Sequence, residues 1–373
     1  MALCFRCGES TSDSPAFQDM GGNIYCRLCL KDKMETKVNK RLMEVAGHSI
    51  NRELFEDPVP ALLIWDGSMA SAAHLSLCLG AKGASVNPAR KRLSFPFKYF
   101  VLSTSGEIYH VDDVADLRAT LEACKNVDSN GDIRMRTSQL EQLINRHAPR
   151  SEKVNLKPIL EDFKSESSKE DFTSIAEMIA THFCAKTMSV KIQHILIHDT
   201  KSSLSRKLFK MMCLGRGGQI SEEMAFTSTW NDFFIHRVII DFDDKELQNY
   251  LTTFDEYSDL LDPKDNNLNS EKKIGPPSLQ IEVSNFINHL EEIHCDTGSV
   301  LTKIGLKLKG SCTVDNLPPR ETCFLCKRNV EKDLDPCEKG WCFGCNNLLQ
   351  DMKNPQLLLN FARMSDGGEF PKT

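Results

Sequence analysis

Two double Cys-x-x-Cys patterns, one near each end of the chain, constrain this sequence more than any other feature. Cys4-Phe-Arg-Cys7 and Cys26-Arg-Leu-Cys29 stand 18 residues apart, and Cys323-Phe-Leu-Cys326 and Cys342-Phe-Gly-Cys345 stand 15 apart. Two intervening residues let both thiolates of a pair reach one ion at about 2.3 Å, while the amides of the turn face the sulfurs. Gly8, just after Cys7, suits a tight turn that needs φ > 0. Two such knuckles close a tetrahedral site with no open position, the structural kind of zinc site and not the catalytic kind. Eight reduced core cysteines have no reason to fall on this spacing. The expectation is therefore two structural zinc ions, one held by Cys4, Cys7, Cys26 and Cys29, the other by Cys323, Cys326, Cys342 and Cys345.

Metal ligation also fits the compartment. The chain has 15 cysteines, and Cys4 opens the first motif at once, which leaves no room for a signal peptide ahead of it. An odd number of cysteines without an export signal reads as reduced thiols in a cytosolic or nuclear protein. Cys337, just ahead of Trp341-Cys342, leaves open an alternative ligand for the second site. The solitary Cys78, Cys124, Cys184, Cys213, Cys295 and Cys312 read as core fillers, since free cysteine is among the most buried residue types. None has the basic neighbours a nucleophile needs, though Cys184 follows His182 by two residues.

At 373 residues the chain is long enough to divide into two or three units, and its 26% charged residues are ordinary for a globular protein. No apolar run approaches the ~18 residues of a membrane span. A net charge of −6 argues against tight nucleic-acid binding by bulk charge alone. Each tetrathiolate site around a divalent ion adds −2 to that, so the metal centres will not attract a phosphate backbone.

Between the cysteine motifs the pattern is α/β. A charged helical stretch runs from Leu30 to about Val45, and Pro58 and Pro60 then break the chain. Ala61 to Trp65 reads as a buried strand, Asp66-Gly67-Ser68 as a turn, and Met69 to Leu79 as a small-residue helix closed by Gly80. Strand, glycine turn and helix is the opening unit of a doubly wound sheet, whose phosphates sit at the helix N-terminus. Further strands are expected at Tyr99–Leu102, Ile195–Ile197 and Val238–Ile240, and helices at Asp112–Lys125, from Phe172 to Phe183, at Ser202–Cys213 and at Phe286–Ile293. Ser165–Asp171 reads as a polar hinge and Asp262–Gln280 as an exposed loop. The fold class is a Rossmann-like parallel sheet with helices on both faces, flanked by N- and C-terminal zinc knuckle or ribbon modules.

The order and spacing of several short motifs carry a resemblance over nearly the whole chain. They are Tyr25-Cys26-Arg27-Leu28-Cys29, the strand with its Trp65-Asp66-Gly67 turn, Leu214-Gly215-Arg216-Gly217, Thr297-Gly298-Ser299-Val300 with Lys307-Leu308, and Trp341-Cys342-Phe343-Gly344-Cys345. Together they resemble the second, non-catalytic subunit of the cytoplasmic tRNA 2-thiolation complex, in the ATP-pyrophosphatase (adenine nucleotide α-hydrolase-like) superfamily. The resemblance implies a heterodimer with a catalytic thiolation subunit in the cytoplasm. Its product is 2-thiolated wobble uridine (5-methoxycarbonylmethyl-2-thiouridine) in Lys, Glu and Gln tRNAs, with sulfur from a thiocarboxylated ubiquitin-related modifier.

Active members of that superfamily carry S-G-G-x-D-S where this chain has Asp66, Gly67, Ser68, Met69, Ala70 and Ser71. A carboxylate replaces the first Ser, the second Gly is gone, and Ala70 stands in place of the metal-directed Asp. A carboxylate facing phosphate within a few Å costs on the order of several kcal/mol at an effective dielectric near 20. The loop is thus expected to be degenerate, with no catalytic residue and no ATP cofactor. Lys201, Arg206, Lys207 and Arg216, with Arg90-Lys91-Arg92, are the candidates for tRNA phosphate contact, against the blander reading of a solvated helix face. An active ATP-dependent sulfurtransferase and a zinc-dependent adaptor remain the alternatives. RING sites interleave their ligands within one short module, whereas these tetrads lie about 300 residues apart.

The expected layout is a zinc ribbon with linker helix over 1–45, the α/β domain with its degenerate loop over 46–260, an exposed loop and helical segment over 261–318, a zinc knuckle over 319–350 and a tail over 351–373.

Overall fold

A computed structural model describes residues 3–10, 17–18, 22–49, 58–83, 97–103, 107–111, 119, 137–147, 153–252, 277–294, 296–308, 322–328, 330 and 340–365. In chain order its elements are β1 (Phe17–Gln18), β2 (Ile24–Tyr25), α1 (Arg27–Ser49), β3 (Val59–Ile64), α2 (Met69–Gly83), β4 (Phe97–Leu102), β5 (Ile108–Val111), α3 (Thr137–His147), α4 (Leu156–Asp162), α5 (Glu166–Thr187) and β6 (His194–Leu196). They continue with α6 (Lys201–Cys213), α7 (Ile220–Met224), β7 (Thr227–Trp230), β8 (Phe233–His236), α8 (Asp244–Thr252), α9 (Leu279–Ile293), α10 (Thr297–Lys307), α11 (Phe343–Asp351) and α12 (Gln356–Ser365). Among the described residues no helix is long and apolar enough to cross a membrane.

The chain divides into two interleaved compact units. The first comprises Met1–Ile133, His194–Thr200 and His236–Leu268; the second comprises the rest. In the first unit the strands run in the order β5-β4-β3-β6. β3 pairs in parallel with β4 (Val59 opposite Phe97 through Ile64 opposite Leu102) and with β6 (Leu63 opposite Leu196). Ala61, Leu62 and Leu63, and likewise Tyr99, Val101 and Leu102, are all buried in succession, not alternately. That continuous apolar run is how a strand covered on both sides reads. The sheet is mixed, because β5 closes it as an antiparallel strand, Tyr99 opposite Val111. Sequence reasoning named no strand at Ile108–Val111; its exposed His110 and half-buried Ile108 and Tyr109 carry too little apolar signal.

The helix expected from Leu30 to Val45 runs from Arg27 to Ser49. It buries Leu30, Met34, Val38, Leu42 and Val45, a stripe at near four-residue intervals with the charges left on the other faces. The helix after β3 starts where expected but is not closed by Gly80; it continues to Gly83. Gly80 has a packing role instead. A methyl group there would strike the Glu35 carboxylate of α1, which is buried and accepts a hydrogen bond from the Tyr250 hydroxyl of α8 at 3.1 Å. Burial raises the Glu35 pKa, opposed by Lys31 at 3.9 Å.

In the second unit α5 forms the spine, burying Phe172, Ile175, Ile179 and Phe183, while Met178 is half-buried. Ser165–Asp171 is not a hinge. Ser165 caps α5, its hydroxyl oxygen accepting from the Ser168 amide, and both its amide and hydroxyl donate to Asp351 at the end of α11. Polar residues gathered for capping look like a linker in sequence. The expected strand Val238–Ile240 is a buried turn. Sequence reasoning instead missed the hairpin of β7 and β8, whose turn places Asn231 at φ 51, a left-handed conformation that Asn tolerates. The polar Thr227-Ser228-Thr229 run concealed it. The last helix of the long polar segment begins at Leu279, earlier than Phe286, with Ser278 as its N-cap. Within the segment placed as a tail, α12 packs Phe361 against Phe172 with ring centroids 5.2 Å apart. The expected helix Asp112–Lys125 lies outside the described residues, Ala119 excepted.

Candidate metal centres and the loop after strand 3

The second unit brings Cys323, Cys326, Cys342 and Cys345 together, all buried, with their sulfurs within 4.8 Å of one another. Each pair sits on a different local structure. Cys323 and Cys326 lie on a knuckle turn: the Cys323 amide donates to the Arg328 carbonyl at 2.7 Å, and Lys327 adopts φ 58. Cys342 is the N-cap of α11, its sulfur accepting from the Cys345 amide at 3.5 Å, and its own amide donates to the Cys323 sulfur at 3.4 Å. Gly340, at φ 92, lets the Phe324 ring occupy the place of a Cβ.

Side chains from elsewhere in the unit surround this cluster. The Arg216 guanidinium places Nη1 3.6 Å from the Cys345 sulfur and 3.8 Å from that of Cys342. Its Nε and Nη2 donate to Asp171 of α5 at 3.0 and 2.6 Å. Burial disfavours this cation, yet the Cys345 thiolate and Asp171 hold its pKa well above the usual arginine value. Gln219 Nε2 stands 3.8 Å from the Cys326 sulfur, and the Trp230 indole donates to the Cys326 carbonyl at 3.0 Å. Gly344 makes room for the arginine, since a Cβ there would meet Arg216 Cγ at 2.6 Å; one on Gly215 would meet the Phe343 ring at 2.5 Å. The Leu214-Gly215-Arg216-Gly217 and Trp341-Cys342-Phe343-Gly344-Cys345 motifs therefore interlock around the thiolates.

The first unit brings Cys4, Cys7, Cys26 and Cys29 into the same arrangement, again within 4.8 Å. Gly8 adopts φ 76, as the turn after Cys7 requires, and its amide donates to the Cys4 carbonyl at 2.9 Å. The Cys26 amide donates to the Cys4 sulfur at 3.3 Å, and Cys29 rides on the first turn of α1. Exposure separates the two clusters: here only Cys4 is buried, Cys26 and Cys29 are half-buried and Cys7 is exposed.

The donor sets fit one ion each. Four thiolates at about 2.3 Å around one tetrahedral ion lie about 3.8 Å apart. The Cys326–Cys342 and Cys7–Cys26 sulfurs are both at 3.8 Å. A multi-iron cluster spreads its thiolates over a much larger polyhedron. A compact, all-sulfur tetrahedron is the donor set of zinc or of a single iron. Cys337 lies outside the described residues.

The loop after β3 is turned in on itself. Asp66 Oδ2 pairs with His198 Nε2 at 2.9 Å, and Asp66 Oδ1 accepts from the Ser68 amide at 2.9 Å. Burial would raise the Asp66 pKa, but the His198 charge and the bonds from His198 and Ser68 hold it well below the usual carboxylate value. Burial likewise works against His198, and Asp66 overrides it, raising the imidazole pKa. Ser68 is the cap of α2: its Oγ accepts from the Ser71 amide at 3.1 Å, and Ser71 Oγ donates to the Ser68 carbonyl at 2.8 Å. Gly67 adopts φ 80. Ala70 is half-buried and has no polar side chain to offer.

Of the basic candidates, Arg216 is buried against the thiolates and Asp171 and faces no surface, which corrects its placement as a phosphate contact. Lys207 Nζ pairs with the buried Glu223 at 2.6 Å, Glu223 also engaging Arg328. Arg206 donates to Asn288 at 3.1 Å, and Lys201 is half-buried, its carbonyl accepting from Thr302. Arg90-Lys91-Arg92 lies outside the described residues. Cys78 and Cys184 are buried, and burial pushes each thiol up to about 12, so neither is a nucleophile. Cys213 is exposed, not a core filler. Cys124, Cys295 and Cys312 lie outside the described residues. Sequence reasoning missed Asp171 and His198, neither of which stands near a cysteine or a glycine turn, and Gln219, although it follows the Leu214-Gly215-Arg216-Gly217 motif by two residues.

No protein-family model matches the chain, and no curated protein matches it. Among solved structures, the U34-tRNA thiolase NcsA from Methanococcus maripaludis with its [4Fe-4S] cluster is similar at a TM-score of 0.44 and 13% identity, covering 91% of this chain and 99% of that one.

Proposed function

We propose that this chain is a zinc-bearing, non-catalytic subunit of a cytoplasmic tRNA-thiolation complex. It pairs with a catalytic subunit that takes sulfur from a thiocarboxylated ubiquitin-related modifier and delivers it to the wobble uridine of Lys, Glu and Gln tRNAs. The resemblance carried by the ordered motifs supports the pathway. The non-catalytic role rests on one observation: every polar side chain of the loop after β3 is used by the fold itself. Asp66 is spent on His198, and Ser68 and Ser71 cap α2. A phosphate-binding loop instead leaves its amides and hydroxyls directed outward to the ligand. The role that remains is scaffolding, with the basic residues Lys201, Arg206 and Lys207 contributing to a tRNA surface shared with the partner.

Zinc is the ion assigned to both tetrathiolate sites, since it binds four sulfurs in a closed tetrahedron without redox chemistry. Equilibrium binding of labelled ATP with Mg²⁺ to the purified zinc protein tests the non-catalytic role. No saturable binding is expected up to millimolar nucleotide. A micromolar dissociation constant lost on Gly67→Ala would contradict it.

A further inference from the structure

We infer that the two tetrathiolate sites exchange metal at very different rates. The N-terminal one is an exchangeable site open to thiophilic ions such as Zn²⁺, Cd²⁺ and Cu⁺, and the C-terminal one is a permanent part of a core. This rests on the reading that each site holds one ion.

Exchange at a full tetrahedron needs an incoming ligand to reach an edge of the site, and access differs between the two. Cys7 is exposed and Cys26 and Cys29 are half-buried, whereas all four cysteines of the C-terminal site are buried. Charge acts in the same direction. A divalent ion with four thiolates carries −2, and at the C-terminal site the Arg216 guanidinium and the Gln219 amide stand 3.6 and 3.8 Å from sulfurs and offset it. At the N-terminal site the side chain 3.8 Å from the Cys7 sulfur is the Glu9 carboxylate, a like charge once Cys7 is a thiolate. Arg6, beside Cys7 in sequence, is directed to Asp32 at 2.5 Å.

The structural consequence of release also differs. Opening the C-terminal site strands Arg216 and Asp171 inside the second unit and breaks the Trp230–Cys326 link. Opening the N-terminal site disturbs a knuckle whose Phe5 and Leu28 are already exposed. Outer partners that hold a metal ligand change affinity by about 10–100-fold when lost, so this asymmetry is large enough to separate the rates.

The test uses the full-length zinc protein with excess chromogenic chelator at neutral pH, sampled in parallel by iodoacetamide and peptide mass mapping. One equivalent of zinc is expected quickly and the second at least about tenfold more slowly. Label should enter Cys7, Cys26 and Cys29 in the fast phase and spare Cys323, Cys326, Cys342 and Cys345. Cys7→Ser should remove the fast phase, and Arg216→Met should accelerate only the slow one. Two equivalents leaving at one rate, or C-terminal label appearing first in the unmodified protein, would overturn the inference and leave two bound ions intact. Fewer than two equivalents at the start would instead overturn the metal reading on which it rests.

Discussion

Arg216 Nη1 lies 3.6 Å from the sulfur of Cys345, with the rest of the guanidinium held by Asp171. The same cation therefore serves a buried carboxylate and a tetrathiolate site. Removing one partner of a buried ion pair costs about 3–5 kcal/mol, because the other charge is left uncompensated. Arg216→Met should lower the urea-unfolding free energy by that order. Arg216→Met combined with Asp171→Asn should recover part of the loss. An additive double mutant would show that the two residues act independently.

The Asp66–His198 pair predicts a pH-dependent contribution to stability. The Asp66 pKa is depressed, so its contribution is present above about 4 and lost as pH falls through the lower folded value. The His198 pKa is raised, so its contribution is present below about 6.5 and lost as pH rises through the higher folded value. Asp66→Asn should cost about 1.5–3 kcal/mol, the range for a hydrogen bond to a charged group, with the largest loss between these limits. An NMR titration should show the His198 pKa falling in the variant. An unchanged value would mean that the pair does not form.

Buried neutral histidines should make the protein acid-sensitive. His74 and His236 have pKa values pushed down to about 3, chiefly by burial, and both ring nitrogens of His74 lack a hydrogen-bond partner. Their folded values lie below the unfolded one, so stability is full above about 6.5 and falls as the pH drops toward 3, by up to about 1.4 kcal/mol per pH unit for each group. His74→Leu should flatten this slope between pH 6 and 4 and cost little at pH 7. The difference between variant and parent at each pH isolates the histidine from any loss of metal. A slope that does not change would contradict the assignment.

Gly80→Ala sets two effects against each other. Alanine gains about 1 kcal/mol of helix propensity, while overpacking costs about 1–3 kcal/mol. The obstructing Glu35 carboxylate is buried and tied to Tyr250, so overpacking should win and the Tm should fall. Adding Glu35→Ala should turn the same substitution neutral or stabilising. A rise in Tm for Gly80→Ala alone would show that Glu35 yields freely.

The parts of this architecture that were legible in the sequence are those written in local spacing. The cysteine pairs, the strand Ala61–Trp65 and the helix from Ser202 to Cys213 all have short-range signatures. Features set by distant partners were not legible. Gly80 looks like a helix stop until Glu35 is seen above it, and Ser165 looks like a hinge until Asp351 accepts from it. Arg216 resembled a phosphate ligand because its motif shows a cation between glycines. Only the fold reveals that it turns inward toward Cys342 and Cys345, where Gly344 leaves room for it.

The central proposal is that the chain supports wobble-uridine thiolation without performing the chemistry. Nucleoside mass spectrometry of tRNA from cells lacking this protein measures that directly. The expected result is loss of 2-thiouridine at the wobble position of Lys, Glu and Gln tRNAs, with the 5-methoxycarbonylmethyl group largely retained and thiolation restored by a Gly67→Ala copy. Undiminished 2-thiouridine in the deletion would contradict the proposal.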